Sequence, residues 1–290
     1  LQNRPNLGGN LWGLDQISVP EVWFSSASFN GETGQGVTVA VVDTGVDLDH
    51  PEFENRIVPG YDFVDDDDVP NDENGHGTHV AGIIAGSNDG FGVTGVAYDA
   101  QIMPVRVLDS QGYGSTEDII RGIRWAADNG ADVINLSLGG GPYNQAEFNA
   151  VEYATSLGSV VVMAAGNSGY SRPDYPAAYS SHYGLAVGAV DSTGNVANFS
   201  NRAGNTIIDY VTSPGVDIYS SVIDGGYAFY DGTSMASPFV AGVSALLTGH
   251  DDSLTPFQIE RLLASSASNS NFPSNNSQVN DIDIITGINV

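Results

Sequence analysis

The sequence predicts a three-layer α/β fold in which a mostly parallel central sheet carries helices on both faces. Runs of β-branched and other apolar residues lack polar alternation, which is typical of strands buried on both faces of a parallel sheet. Helical patterns separate these runs, and this alternation implies right-handed crossovers. No internal repeat or linker interrupts the 290 residues, so we predict a single domain over residues 1–290.

The predicted strands follow one another along the chain as short apolar runs. They cover residues 37–42, 102–107, 133–138, 160–165 and 185–190. In open sheets of this type, reacting groups collect at the carboxyl ends of the strands. Asp43, Gly139 and Asn167 follow or end three of these runs, so they are candidates for a shared site.

Helices are predicted from their start and stop residues. One covers 116–129, with acidic residues in its first turn, and a second covers 146–157; a glycine follows each of them. Apolar faces at 80–84 and 235–247 predict two more helices.

The C-terminal part combines a well-marked helix with a polar tail. The helix at 256–264 has Thr255 as its cap, a proline in its first turn and Gln258 as a capping-box partner. The stretch 265–277 is rich in Ser and Asn and is expected to be loosely held, so 265–290 is a candidate C-terminal extension.

Composition limits the partners and the means of stabilisation. Acidic residues outnumber basic ones by 35 to 8, every base is an arginine, and the formal net charge is −27. Such a surface repels phosphates and anionic lipids, so neither nucleic acid nor a membrane is expected as a partner. The chain has no cysteine, so if it leaves the cytoplasm, packing or bound metal must stabilise it in place of disulfides.

Three short motifs supply an acid, a base and a nucleophile. Asp43 lies in Asp-Thr-Gly, His76 in His-Gly-Thr-His, and Ser234 in Gly-Thr-Ser-Met-Ala-Ser-Pro. A neutral hydroxyl is a poor nucleophile until an oriented imidazole can take its proton. A turn, a structural histidine and a helix cap could each explain one motif, but all three explanations would have to coincide. The set predicts a serine peptidase.

With these motifs the chain resembles the subtilases, the subtilisin-like serine peptidases, and is most similar to their thermitase branch. The similarity extends over residues 12–264, and the order Asp, His, Ser is the known order of subtilisin. The resemblance implies a subtilisin-like fold in which Ser234 attacks the scissile carbonyl, His76 takes and returns the proton, and Asp43 orients the imidazole. Asn167 would stabilise the oxyanion together with the Ser234 N–H.

The resemblance also implies how a substrate is held. A peptidase that accepts many sequences has to bind the peptide backbone, so two stretches of chain would flank an extended substrate. The flanking residues are Ser137, Leu138 and Gly139 on one side and Gly112, Tyr113 and Gly114 on the other. Leu108 and Tyr113 would line apolar subsites.

Specificity is expected to depend on Asp174. The resemblance places Tyr175 and Pro176 in the wall of the pocket for the residue before the scissile bond, with Asp174 at the base of that pocket. A carboxylate there would pair with Arg or Lys of the substrate. The alternative is that Asp174 points to solvent beside Arg172 and that the pocket takes large apolar residues.

Two loops are candidate sites for structural calcium, a cation that prefers carboxylate, amide and carbonyl oxygens. By resemblance, the first site takes the side chains of Asp62, Asp65, Asp67 and Asn71 and the carbonyl of Val69. The second takes the side chains of Glu52 and Asp89 and the carbonyls of Phe91 and Val93, with Asn3 reaching in. Asp209, with carbonyls near Ala178, is a third and weaker candidate. The alternative for such acidic runs is a solvated surface.

Protein or peptide substrates are the expected partners, together with the chain's own propeptide. The chain is expected to act as a monomer outside the cell, and a cytoplasmic processing role stays open. An esterase of the α/β-hydrolase type uses a similar Ser motif, but there the serine precedes the acid and the histidine. A non-catalytic calcium-binding scaffold would have lost one of Asp43, His76, Asn167 and Ser234, and none is missing.

Overall fold

The computed structural model describes residues 12–24, 32–268 and 283–285. Its strands are β1 (Thr38–Asp43), β2 (Tyr61–Asp62), β3 (Gln101–Arg106), β4 (Val133–Leu136), β5 (Val160–Ala164), β6 (Leu185–Val190), β7 (Tyr210–Pro214), β8 (Ile218–Val222), β9 (Gly226–Tyr230), β10 (Ala267–Ser268) and β11 (Asp283–Ile285). Within these residues a nine-stranded sheet has the order β10-β11-β7-β6-β5-β4-β1-β3-β2, and β8 pairs with β9 in a separate hairpin. In the large sheet only β10 and β11 are antiparallel, which confirms the predicted sheet.

Helices cover both faces of this sheet. They are α1 (Trp12–Gln16), α2 (Val19–Phe24), α3 (His76–Ala85), α4 (Thr116–Asp128), α5 (Gln145–Ser156), α6 (Thr233–His250) and α7 (Pro256–Ser266), with short 3-10 turns at Pro51–Phe53 and Ala177–Ser181. In the described part of the chain, none of the helices combines the length and apolar character needed to cross a bilayer.

The side chains of β1 show why there are three layers. Val39 and Val41 point into a core shared with α3 and α6, whereas Ala40 and Val42 point into a second core shared with α4 and α5. All four are completely buried. Burying a Val side chain stabilises the fold by roughly 1.5–3 kcal/mol relative to leaving it exposed, so both faces of the strand hold helices against it.

The observed elements lie close to the predicted ones, except in the tail. The predicted capping box is present, since Thr255 and Gln258 bond reciprocally at the start of α7. The tail, in contrast, is ordered further than expected. Residues 265 and 266 complete α7, and 267–268 pair with β11, while 269–277 lie outside the described residues.

The sequence patterns do not predict β7 or the β8–β9 hairpin. Strand β7 contains Thr212, Ser213 and Pro214, a composition typical of a turn, yet all three are buried. The hairpin packs on α3, where the hydroxyls of Ser220 and Ser221 donate to two carbonyls of the helix at 2.8 and 2.9 Å. It therefore supports the helix that carries His76.

Candidate active site

A strand end and a helix start bring Asp43 and His76 together. Asp43 is the last residue of β1, and His76 is the first of α3, after Gly75, whose φ of 103° turns the chain into the helix. Asp43 Oδ1 lies 2.7 Å from His76 Nδ1 and also accepts the Thr44 N–H at 2.7 Å. The carboxylate is fully buried. Because it accepts from Nδ1, it holds the tautomer whose Nε2 can act as a base.

The electrostatics of His76 suit a general base. Burial lowers the pKa of His76, but the charge of Asp43 and its hydrogen bond outweigh this, with help from Asp72, so the pKa lies above its ordinary value of 6.5. His79 behaves in the opposite way. Burial lowers the pKa of His79 to about 3, and its Nε2 lies 3.1 and 3.2 Å from two backbone carbonyls. His79 is therefore a neutral structural histidine.

A buried acid outside the motifs holds this pair in place. Asp72 Oδ1 accepts the Thr44 hydroxyl at 2.9 Å and two backbone N–H groups just before α3, each at 2.9 Å. Its Oδ2 accepts the N–H and the hydroxyl of Thr78 at 2.9 and 2.6 Å. Asp72 thus ties the end of β1 to the first turn of α3. Its only sequence signal is an acid shortly before a predicted helix.

Ser234 lies in the first turn of α6 and shares a cavity with His76. Its Oγ donates to the Ser137 carbonyl at 3.1 Å, and no hydrogen bond joins it to His76 Nε2 in the described part of the chain. The hydroxyl therefore has to rotate from Ser137 toward His76 before it can lose its proton. Hydrogen bonds of this kind often tighten only when substrate is bound.

A polar network anchors Ser234 to the sheet. Ser137 Oγ donates to the Ser234 carbonyl at 2.8 Å and accepts from Asn135 Nδ2 at 2.9 Å. Asn135 Oδ1 in turn accepts the Ser237 hydroxyl at 2.7 Å. Asn135 and Ser237 are completely buried, so these bonds fix the start of α6 against β4. The motifs point to Ser234 but not to this buried asparagine, whose sequence context is that of an ordinary strand.

Asn167 follows β5 and is oriented by the start of α6. Its Oδ1 accepts the N–H and the hydroxyl of Thr233 at 2.8 and 3.0 Å. Because Oδ1 is engaged, the Nδ2 donor of Asn167 remains for the cleft. The N–H of Ser234 belongs to the first turn of a helix and has no intrahelical partner. These two donors can stabilise an oxyanion beside Ser234.

A cavity of about 670 Å³ connects His76, Ser234 and Asn167. Every residue that was predicted to hold substrate lies on its wall. These residues are Leu108, Gly112, Tyr113, Gly114, Ser137, Leu138, Gly139 and Asp174. Tyr113 is 73% exposed whereas Leu108 is buried, so Tyr113 offers the larger accessible surface to a bound chain.

Asp174 is half-buried on this wall. Its Oδ2 accepts from Asn201 Nδ2 at 3.0 Å and occupies the space beside Gly166, where a Cβ would collide with it. Its Oδ1 has no hydrogen-bond partner among residues 12–24, 32–268 and 283–285, and no ion pair to Arg172 occurs there. One carboxylate oxygen of Asp174 is therefore free to accept a further hydrogen bond.

The loop predicted as the first calcium site is organised around an arginine. Arg106 donates to Asp62 Oδ2 and Asp65 Oδ2, each at 2.8 Å, and Asp62 Oδ1 accepts two backbone N–H groups. Asp67 Oδ1 accepts the Val69 N–H at 2.8 Å. Asp62 is thus saturated, but Asp65 and Asp67 each keep one oxygen without a bonded partner among the described residues. Asn71 lies further along the same loop, and its Oδ1 accepts the Leu48 N–H at 3.3 Å. The loop retains an excess of negative charge.

The loop predicted as the second calcium site does not fit a cation as it stands. Glu52 Oε1 accepts the Val93 N–H at 2.9 Å and the Tyr227 hydroxyl at 2.7 Å, and Oε2 accepts the Ser87 N–H at 2.8 Å. Asp89 Oδ1 is taken by the N–H of Phe91. Donors therefore face Glu52 where calcium would require oxygens. Asn3 lies outside the described residues.

At the third candidate, the described acid that interacts with Asp209 through its charge is Glu260. Burial raises the pKa of Asp209, and burial together with the charge of Asp209 raises the pKa of Glu260 to about 7. Across the described residues, no group of three or more His, Cys, Asp or Glu side chains is placed to hold a metal.

Known proteins are similar to this chain in sequence and in architecture. Residues 34–282 match the model of the subtilase family. Thermitase from Thermoactinomyces vulgaris is 44% identical over 84% of this chain and 84% of its own length. A thermophilic serine proteinase from Bacillus sp. (strain AK1) is 50% identical over 75% of this chain, which spans about half (53%) of that protein. The crystal structure of a cold adapted subtilisin-like serine proteinase matches with a TM-score of 0.82 and 40% identity, over 95% of this chain and 97% of that one.

Proposed function

The chain belongs to the subtilase family of serine peptidases, and we propose that it cleaves proteins through an acyl-enzyme intermediate, prefers Arg or Lys before the scissile bond and is stabilised by calcium. The observation that carries the chemistry is the 2.7 Å bond between Asp43 and His76 in a cleft that also holds Ser234 and Asn167.

The reaction follows from these contacts. The Ser234 hydroxyl turns from Ser137 to His76, Nε2 takes its proton, and Oγ bonds to the substrate carbonyl carbon. Asn167 Nδ2 and the Ser234 N–H stabilise the resulting oxyanion. His76 then gives the proton to the leaving amine as the peptide bond breaks, and water releases the acyl group by the same steps in reverse.

Covalent labelling tests the nucleophile. A fluorophosphonate should label the wild type, and Ser234→Ala should abolish both labelling and peptide cleavage. Ser168→Ala removes another serine of the same cavity wall and should label like the wild type. Labelling that persists in Ser234→Ala would contradict the assignment.

The free oxygen of Asp174 supports a preference for basic residues. A substrate Arg or Lys would replace solvent at Oδ1 while Asn201 keeps Oδ2 in place. Matched peptides that differ only in Arg, Lys, Phe or Leu before the scissile bond test this. We expect kcat/KM to favour Arg and Lys by about tenfold or more, and Asp174→Asn to reverse the order. A wild type that prefers Phe or Leu would show that the pocket takes apolar residues.

Calcium would enter at the loop that contains Asp62. The free oxygens of Asp65 and Asp67, with the Val69 carbonyl and Asn71, are the available ligands, while Arg106 holds Asp62. An ion that binds only the folded chain stabilises it by mass action. Chelation should therefore lower the melting temperature, and Asp65→Asn with Asp67→Asn should remove this sensitivity. An unchanged melting temperature after chelation would remove calcium from the proposal.

We also propose that the enzyme acts outside the cell as a monomer, after removal of a propeptide. The strongly negative charge supports solubility without a partner. Cell fractionation and size-exclusion chromatography test both points, and activity confined to the cytoplasm would favour a processing role there.

A further inference from the structure

The wall of the active-site cavity contains a second acid that the proposed mechanism does not use. Glu147 lies in the first turn of α5 and is only 5% exposed, yet it contributes to the cavity wall. Burial raises the pKa of Glu147. Placing a carboxylate in such a site is unfavourable unless a partner compensates.

The helix cap does not account for this acid. Asn144 caps α5 and Glu147 is the third helical residue, which is the position of the acid in a capping box. In a capping box the Glu147 carboxylate would accept the Asn144 N–H. Here that N–H donates to the Tyr179 hydroxyl oxygen at 3.0 Å instead.

Only one of the two carboxylate oxygens of Glu147 has a hydrogen-bond partner among the described residues. Its Oε2 lies 2.8 Å from the Tyr179 hydroxyl. Its Oε1 has no hydrogen-bond partner within the described ranges, and this oxygen is not fully enclosed by protein. Because Glu147 lies on the cavity wall, we infer that a group in the cavity can reach the unpartnered oxygen.

The surroundings of Glu147 suit the side chain of a basic residue. Leu108, Ile119 and Leu138 line the cavity; Leu108 belongs to the apolar core that contains Tyr179, and Ile119 and Leu138 pack against that core. A cavity wall that combines apolar side chains with an acid matches Lys or Arg, whose apolar stem carries a terminal cation. No arginine of the chain forms an ion pair with Glu147 in the described part. A substrate cation can fill that role.

The position of this subsite follows from the course of the chain. Ser137 touches Ser234, and the residues after it lead away from the nucleophile through Gly140, whose N–H donates to the Tyr175 carbonyl, toward α5. The stretch that leads to Glu147 thus bonds to Tyr175, the neighbour of Asp174, and we infer that Glu147 lies on the Asp174 side of the scissile bond.

We propose that Glu147 is the base of a second acidic subsite, which binds Lys or Arg of the substrate at a position further upstream than the residue held at Asp174. This inference rests on the proposed peptidase function but not on the preference assigned to Asp174.

A peptide library that varies each upstream position, with the residue before the scissile bond held constant, tests the proposal. At one upstream position the wild type should cleave Lys or Arg peptides about tenfold faster, in kcat/KM, than norleucine peptides, because a charge-assisted hydrogen bond is gained. Glu147→Gln should abolish this ratio, and Glu147→Leu should invert it in favour of norleucine. The preference next to the scissile bond should not change.

Glu152→Gln is the matched control. Glu152 lies on the same helix and accepts a tyrosine hydroxyl at 2.8 Å, but it is exposed and lies outside the cavity wall. For this variant, the ratio of kcat/KM for Lys or Arg peptides over norleucine peptides at the upstream position should equal that of the wild type. A wild type without an upstream basic preference, or a Glu147→Gln enzyme that keeps one, would overturn the inference. A wild type that cleaves no library peptide would instead overturn the proposed function, and this inference with it.

Discussion

Two buried acids lie close together in the chain, at the end of β1 and in the turn at Pro51–Phe53, but they face different groups. Asp43 accepts from an ionisable ring and a single backbone N–H, and its Oδ2 has no partner among the described residues. Glu52 accepts from two backbone N–H groups and a hydroxyl. Burial is nearly equal, 0% and 3% exposed. The donor, rather than the burial, therefore separates the acid that we propose to be catalytic from a structural one.

Asp43→Asn should produce the largest effect. The amide can no longer hold the tautomer of His76 that frees Nε2, so kcat should fall by about 10⁴-fold. The free energy of unfolding should change little, because the shape of the side chain is kept. Single-turnover kinetics and denaturant unfolding measure the two quantities. Asp43→Asn with activity within tenfold of wild type would contradict the assigned role.

Asn167→Ala should produce the next largest effect. It removes one oxyanion donor and should lower kcat by about 10²–10³-fold with a smaller change in KM, because the donor acts in the transition state. Asn129→Ala is a control, since Asn129 is exposed and only caps α4. A rise in KM of the same size, with no fall in kcat, would show that Asn167 binds substrate rather than the oxyanion.

These residues also show how much of the site can be predicted from the sequence. Asp43, His76, Asn167 and Ser234 lie in continuous motifs beside strand ends or helix starts, so local patterns suffice to find them. The five predicted strands are apolar on both faces, and burial on both faces is the strongest strand signal in such a sheet.

Contacts between distant segments cannot be found in this way. The donors to Glu52 come from residues 35 and 41 positions later and from a hairpin 175 positions later. Asp72 carries only a weak helix-start signal, and the sequence places Glu147 where a capping box would use it. The partners of these acids depend on how loops pack in three dimensions, and no local pattern encodes that.

Glu52→Gln should show the opposite pattern to Asp43→Asn, with a loss of stability and no loss of kcat. One acceptor of Glu52 becomes a donor that faces donors, so the free energy of unfolding should fall by about 1–3 kcal/mol while kcat stays near that of the wild type. Glu54→Gln, an exposed neighbour, should change neither quantity. Because the carboxylate is already satisfied, the number of bound calcium ions should not change. Loss of one calcium ion in Glu52→Gln would show that this loop binds metal after all.

The smallest expected effect is a displacement of the acid limb of the pH profile. In the proposed mechanism His76 acts only when neutral, and its pKa is raised above 6.5, so kcat/KM should fall as the pH drops through a midpoint above 6.5. Asp72 contributes to that rise through its negative charge. Asp72→Asn should therefore move the midpoint to lower pH, with circular dichroism at each pH to confirm folding. If Asp72 acts only through its hydrogen bonds, kcat/KM will fall at every pH with the midpoint unchanged, and Asp72 would then resemble Glu52 rather than Asp43.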